Sequence, residues 1–146
     1  MDKSTETTTG ANKALMQQIF AGLAQRDGTL LFESMTDDVR WRIIGTTKWS
    51  KTYEGKQAIL RDMIGQVRAI LAERVKLIAE RFIADGEWVA VEARGDSVTK
   101  TGVPYRNEYC MVFRIVGGQI AEVTEYNDTQ LIVTVFDDPA TLKAGQ

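Results

Sequence analysis

Apolar positions along this chain recur first at helical spacing and then, from about Val75 onward, at every second residue. Leu15, Met16, Ile19, Phe20 and Leu23 fall on one helical face that stops at Asp27-Gly28, predicting an amphipathic first helix with a glycine stop. A short helix through Leu30, Leu31 and Phe32 follows. Val39, Trp41 and Ile43 alternate with Arg40 and Arg42, the period of a half-buried strand that ends at Gly45. Beyond the polar loop Thr46 to Glu54, the positions Ile59, Leu60, Met63, Ile64, Val67, Ile70 and Leu71 make one broad helical stripe. Four strand-like runs come next, Val75 to Ala84, Glu87 to Val98, Tyr105 to Val116 and Gln119 to Asn127, with Asp85-Gly86 and Gly117-Gly118 supplying tight turns. The tail Thr129 to Phe136 reads equally as a short helix or a strand, because it is rich in β-branched residues. Helices first and antiparallel strands afterwards predict an α+β domain, with helices on one face of a curved sheet and a cavity between them for a small apolar ligand.

Composition narrows the partners. A chain of 146 residues is most simply one domain, expected here over 13–137, with a disordered polar arm over 1–12 and a tail over 138–146. With 44% hydrophobic and 26% charged residues and a net charge of -2, nothing points to nucleic acid or an anionic membrane surface. Apolar runs such as Trp88 to Val91 fall far short of the ~20 residues that span a bilayer. The N-terminus has no apolar signal-like core and Cys110 is the single cysteine, so a reducing, cytoplasmic location is expected.

The chain contains no histidine, which excludes Ser-His-Asp and Cys-His nucleophiles and His-ligated metals and leaves catalysis to Asp, Glu, Tyr, Lys and Arg. Arg94 and Asp96 are spaced to share one face of a strand, and Asp128 at the end of the last strand offers a second carboxylate. The plainer readings are an exposed ion pair for the first two and a helix cap for Asp128. Tyr105, Asn107, Tyr109, Met111 and Phe113 share one strand face and read as pocket wall or core, as do Trp41, Trp88, Met63 and Phe20. Glu122 and Glu125 fall on opposite faces of the last strand, Glu122 with Thr124, Tyr126 and Asp128. Cys110, with no histidine to activate it, reads as an inert strand residue, and no metal or cofactor is implied.

From Asn12 to Phe136 the order of elements, with DDVRWRIIG, then YEGKQAI, and finally YRNEYCMVFRIVGGQIAEVTEYNDT, resembles the SnoaL-like families of the superfamily that includes nuclear transport factor 2 and ketosteroid isomerase. The resemblance implies a cone-shaped fold in which N-terminal helices pack on a curved antiparallel sheet around a cavity. It also implies a homodimer paired through the open sheet face, for which Val89, Val91, Val112 and Val123 are the expected contacts. Such folds host hydrolases, isomerases, cyclases and inert binding modules. Arg94, Asp96 and Asp128 resemble the Arg-x-Asp pair and further Asp of limonene epoxide hydrolase, where one carboxylate activates water, the other protonates the epoxide and the arginine bridges them. The resemblance departs at Trp41 and Ile43, which stand where that enzyme holds its water with Tyr and Asn; Ile43 also stands where ketosteroid isomerase places its base. The implied function is cofactor-independent acid/base chemistry of hydrolase, isomerase or cyclase type on a small apolar organic molecule; the alternative is a non-catalytic ligand-binding or dimerisation module.

Overall fold

The computed structural model describes residues 3–136. Helix α1 (Lys3–Leu23) buries Met16, Ile19, Phe20 and Leu23, the stripe expected from the sequence. The Phe20 ring meets Phe82 and Phe113 edge-on at 5.9 and 6.1 Å, tying the helix to the sheet beneath. Gly22 lets the chain fold back at the helix end: a Cβ there would lie 2.8 Å from the Asp27 carbonyl oxygen, which accepts no such neighbour. Contrary to the expectation of a disordered arm, α1 begins at Lys3. Thr9 and Asn12 explain why, since Thr9 Oγ1 accepts the Gly86 N–H at 2.8 Å and Asn12 Nδ2 donates to the Gly86 carbonyl at 3.0 Å. The polar helix start is thereby clamped to a hairpin turn where Gly86 sits at φ 61.

After α2 (Thr29–Ser34), strand β1 (Met35–Ile43) buries Val39, Trp41 and Ile43 and exposes Arg40 and Arg42, as its alternation predicts. The loop expected after it contains a short strand, β2 (Thr52–Glu54), paired antiparallel to β1. The broad apolar helix is divided into α3 (Lys56–Ala58), a π-helical stretch (Ile59–Ile64) and α4 (Gly65–Ile70). The rest is β3 (Leu77–Asp85), β4 (Trp88–Gly95), β5 (Ser97–Val98), β6 (Pro104–Tyr105), β7 (Glu108–Val116), β8 (Gln119–Asn127) and α5 (Thr129–Val135). Tyr105 and Asn107 therefore lie outside β7, which starts one residue after Asn107.

The main sheet has six strands in the order β2-β1-β8-β7-β4-β3, and β5 pairs with β6 in a separate ribbon. It is mixed rather than antiparallel throughout, because β1 runs parallel to β8. That pairing sets Trp41 beside Val123 and Ile43 beside Glu125. Val89, Val91 and Val123 are at most 1% exposed and belong to the core beneath α1, which corrects their expected place on an outer dimer face. Outward-pointing side chains include Trp88, 48% exposed rather than lining a cavity, and Ile83, 57% exposed. No helix among the described residues is long and apolar enough to cross a membrane.

Candidate active site

Between the sheet and the α2, α3–α4 and α5 segments lies a cavity of about 450 Å³. Its wall includes Phe20, Trp41, Met63, Tyr105 and Tyr109, all expected there from the sequence. Met111, Phe113, Leu60 and Ile132 complete a largely apolar surround. Two carboxylates line it, Glu33 exposed at the edge and Glu125 set inside that surround.

Strand parity put it there. On β8 the inward-facing Val123 is 1% exposed, and Glu125 two residues on must point the same way. Its carboxylate receives two hydrogen bonds, from Trp41 Nε1 to Oε1 at 3.1 Å and from Asn127 Nδ2 to Oε2 at 2.7 Å. Burial pushes its carboxyl above the ordinary range, while the Asn127 and Trp41 donors pull part of the way back. Among the described residues no cation lies within ion-pair distance of it. Asn127 Oδ1 is buried and makes no hydrogen bond. Rotating that amide by half a turn would present an acceptor to Glu125, so the same side chain can serve the carboxylate as donor and the carboxylic acid as acceptor.

Two tyrosines add hydroxyl groups to the same wall. Tyr105 Oη accepts from Asn107 Nδ2 at 2.8 Å and lies 3.5 Å from Tyr109 Oη, too long for a strong hydrogen bond. Burial is the main reason that both phenols are raised, Tyr109 well above its ordinary value, so each stays protonated and able to donate to a ligand oxygen.

Asn107 has a different task from the ligand contact expected of it. It is fully buried, does not line the cavity, and spends both side-chain polar atoms on the protein. Besides Tyr105, its Nδ2 donates to the Asp128 carbonyl at 3.2 Å, and its Oδ1 accepts the N–H groups of Glu108 and Asp128 at 2.8 and 3.0 Å. Asn107 thus fixes the Tyr105 hydroxyl and the start of α5.

Arg94, Asp96 and Asp128 do not line the cavity. Arg94 is exposed on β4 with the parity of Trp88 and Glu92, opposite to that of the buried Val91 and Ala93. Asp96 follows the end of β4 and faces Arg106 at 3.5 Å. Asp128 is exposed and caps α5, Oδ1 accepting the N–H groups of Gln130 at 3.1 Å and Leu131 at 3.3 Å. The i,i+2 rule fails for Arg94 and Asp96 because the strand ends between them, and Asp128 leaves the β8 parity because it lies past the end of that strand, as the cap of α5. Sequence reasoning missed Glu125 as the central group; the available signal was a charged residue sharing the inward face of Val123. Cys110 faces the other way, with burial and Glu92 raising its thiol. No three His, Cys, Asp or Glu side chains among the described residues converge to hold a metal ion.

No curated protein matches this chain. Several solved structures share its architecture. A candidate SnoaL-like polyketide cyclase from Jannaschia sp. CCS1 is 17% identical over 92% of this chain and 96% of its own, with a TM-score of 0.71. A candidate isomerase from Bacillus subtilis is 20% identical over 88% and 94%, with a TM-score of 0.72. TerC, co-crystallised with polyporic acid, is 19% identical over 86% and 97%, with a TM-score of 0.72. At such identities the likeness shows the fold alone, shared with further proteins described as NTF2-like. The model of the SnoaL-like domain matches residues 16–123, most of the chain and nearly all the elements that surround Glu125, and on that match the chain belongs to the SnoaL-like family.

Proposed function

We propose that this protein is an acid/base enzyme of isomerase or cyclase type in which Glu125 moves the proton. The observation that carries the reading is a half-buried carboxylate inside a largely apolar cavity, with two neutral donors and no cation within ion-pair distance among the described residues, an environment that raises a carboxyl above its ordinary range. Glu125 would take a proton from a carbon next to a substrate carbonyl, the electron pair passing to the carbonyl oxygen. A Tyr105 or Tyr109 hydroxyl would hydrogen-bond that oxygen as its charge grows. Return of the proton to another carbon gives an isomer, and attack of the enolate on a second carbonyl closes a ring. Glu125 in this reading replaces Asp128 and Asp96, the acid/base pair expected from the sequence. The described relatives support a small organic substrate, since one is a candidate polyketide cyclase and another was crystallised with polyporic acid.

The functional form in this reading is a cytoplasmic homodimer. Its interface is the outer sheet face, where Ile83, Trp88 and Tyr126 are 57%, 48% and 45% exposed, and a lone cysteine suits the compartment.

Screening enones and polyketide-like ketones for turnover tests the reaction. Glu125→Gln keeps the shape and removes the base, and should reduce turnover by about 10²–10⁴-fold while leaving binding of apolar ligands intact. Undiminished turnover in that variant would remove Glu125 from the chemistry; binding without turnover of any substrate by the native protein would favour the non-catalytic binding module.

A further inference from the structure

The residues that both line the cavity and are exposed mark its mouth: Thr29, Glu33, Arg68 and Arg74, with the half-buried Lys76 on the same rim. Positive charge predominates there, and it comes from neighbouring pieces of chain. Arg68 belongs to the last turn of α4, Arg74 to the segment joining α4 to β3, and Lys76 immediately precedes β3. Arg26 anchors this rim by donating to the Arg74 carbonyl at 2.7 Å while its own charge is met by Glu73 at 3.1 Å. Among the described residues, neither Arg68 nor Lys76 has an ion-pair partner. The acids nearby are Glu33 on the rim, Asp27, which senses Arg74 weakly and is held mainly by its hydrogen bonds with Thr29, and Asp96, whose N–H donates to the Lys76 carbonyl at 3.1 Å and whose carboxylate faces Arg106.

We infer that the substrate is an amphiphilic anion, with a carboxylate or comparably acidic oxygen held at the mouth by Arg68, Arg74 and Lys76 and an apolar body reaching in toward Glu125. The inference rests on the proposed acid/base site and adds the orientation of what enters it. An anion pushed inward would lose its water among apolar side chains and meet a second carboxyl at Glu125. At the mouth it keeps part of its hydration and gains charged donors. β4 and β7 stand between β3, where Lys76 leads in, and β8, which carries Glu125. At a strand spacing of about 4.8 Å that separation is about 14 Å across a flat sheet, less where it curves. The reacting carbon is therefore remote from the anionic end.

Two fluorescent probes of nearly equal shape test this: 8-anilinonaphthalene-1-sulfonate and its uncharged counterpart N-phenyl-1-naphthylamine. The sulfonate should bind about tenfold more tightly, and the two should compete for one site. Arg68→Gln combined with Lys76→Gln should abolish that preference without weakening the neutral probe. Melting curves establish that the variant is folded, and raising salt on the native protein gives a second readout. At 1 M salt, where screening acts over about 3 Å, the sulfonate alone should weaken. Equal affinities, a preference unchanged in the double variant or in salt, or failure of the probes to bind or compete would overturn the inference. No preference in the native protein, alongside turnover that Glu125→Gln still reduces, would overturn the inference and leave the reaction standing; a preference in the native protein with full turnover in Glu125→Gln would do the reverse.

Discussion

Trp41 donates its indole N–H to Glu125 across the parallel pair β1–β8, at 3.1 Å, on the oxygen opposite the one that accepts from Asn127. The bond favours the charged form and so opposes the rise that burial causes. Trp41→Phe keeps an aromatic ring in place and removes this donor, so the Glu125 carboxyl should titrate at higher pH. In a pH–rate profile the limb belonging to Glu125 should move upward, whether the group acts as acid or base. Stability should fall by about 1–2 kcal/mol for the lost hydrogen bond and packing. An unmoved limb would mean that Glu125 is not the group being titrated.

Stability should also carry the signature of the buried carboxyl. Because its pKa is raised in the folded state, the native protein holds this proton more tightly than the unfolded chain. Its contribution to stability is therefore greatest below the unfolded value and declines as pH rises through the window up to the folded pKa. Glu125→Gln lacks this term. Melting temperatures of the two proteins should diverge with rising pH in favour of the variant, then run parallel above the folded pKa. Divergence in the opposite direction would show that the folded protein favours the carboxylate.

Asp128 provides a contrast between a cap and a catalytic acid. Asn caps a helix about as well as Asp, so Asp128→Asn should leave stability and turnover nearly unchanged. Asp128→Ala strips the acceptor from the Gln130 and Leu131 N–H groups and should cost about 1 kcal/mol in denaturant unfolding. A large loss of turnover in the Asn variant would restore Asp128 to the chemistry.

Sedimentation should show a dimer at micromolar concentration. Trp88→Glu places a charge on the outer sheet face without entering the core, and should shift the protein to monomer with its melting behaviour otherwise kept. A native protein that sediments as a monomer would remove this assembly from the functional reading.

The sequence by itself determined what depends on local periodicity. The helical stripe from Met16 to Leu23, the alternation of Val39, Trp41 and Ile43, and the two hairpins of the C-terminal half were legible because each side-chain direction follows from the backbone period of its own element. The inward set Tyr109, Met111 and Phe113 followed from the same rule. The polar start of α1 was not legible, because its support comes from Gly86, far along the chain. Nor was the parallel pairing of β1 with β8, which brings Trp41 to Glu125 from a distant segment. Arg94, Asp96 and Asp128 look like one set in sequence only while their strands are assumed to continue. Tertiary structure ends β4 at Gly95 and turns Asp128 into a cap, whereas Glu125 stays within β8 and is carried inward. Which carboxyl is raised was decided by removal from water, and burial depends on what packs over a strand from elsewhere in the chain rather than on the strand's own residues.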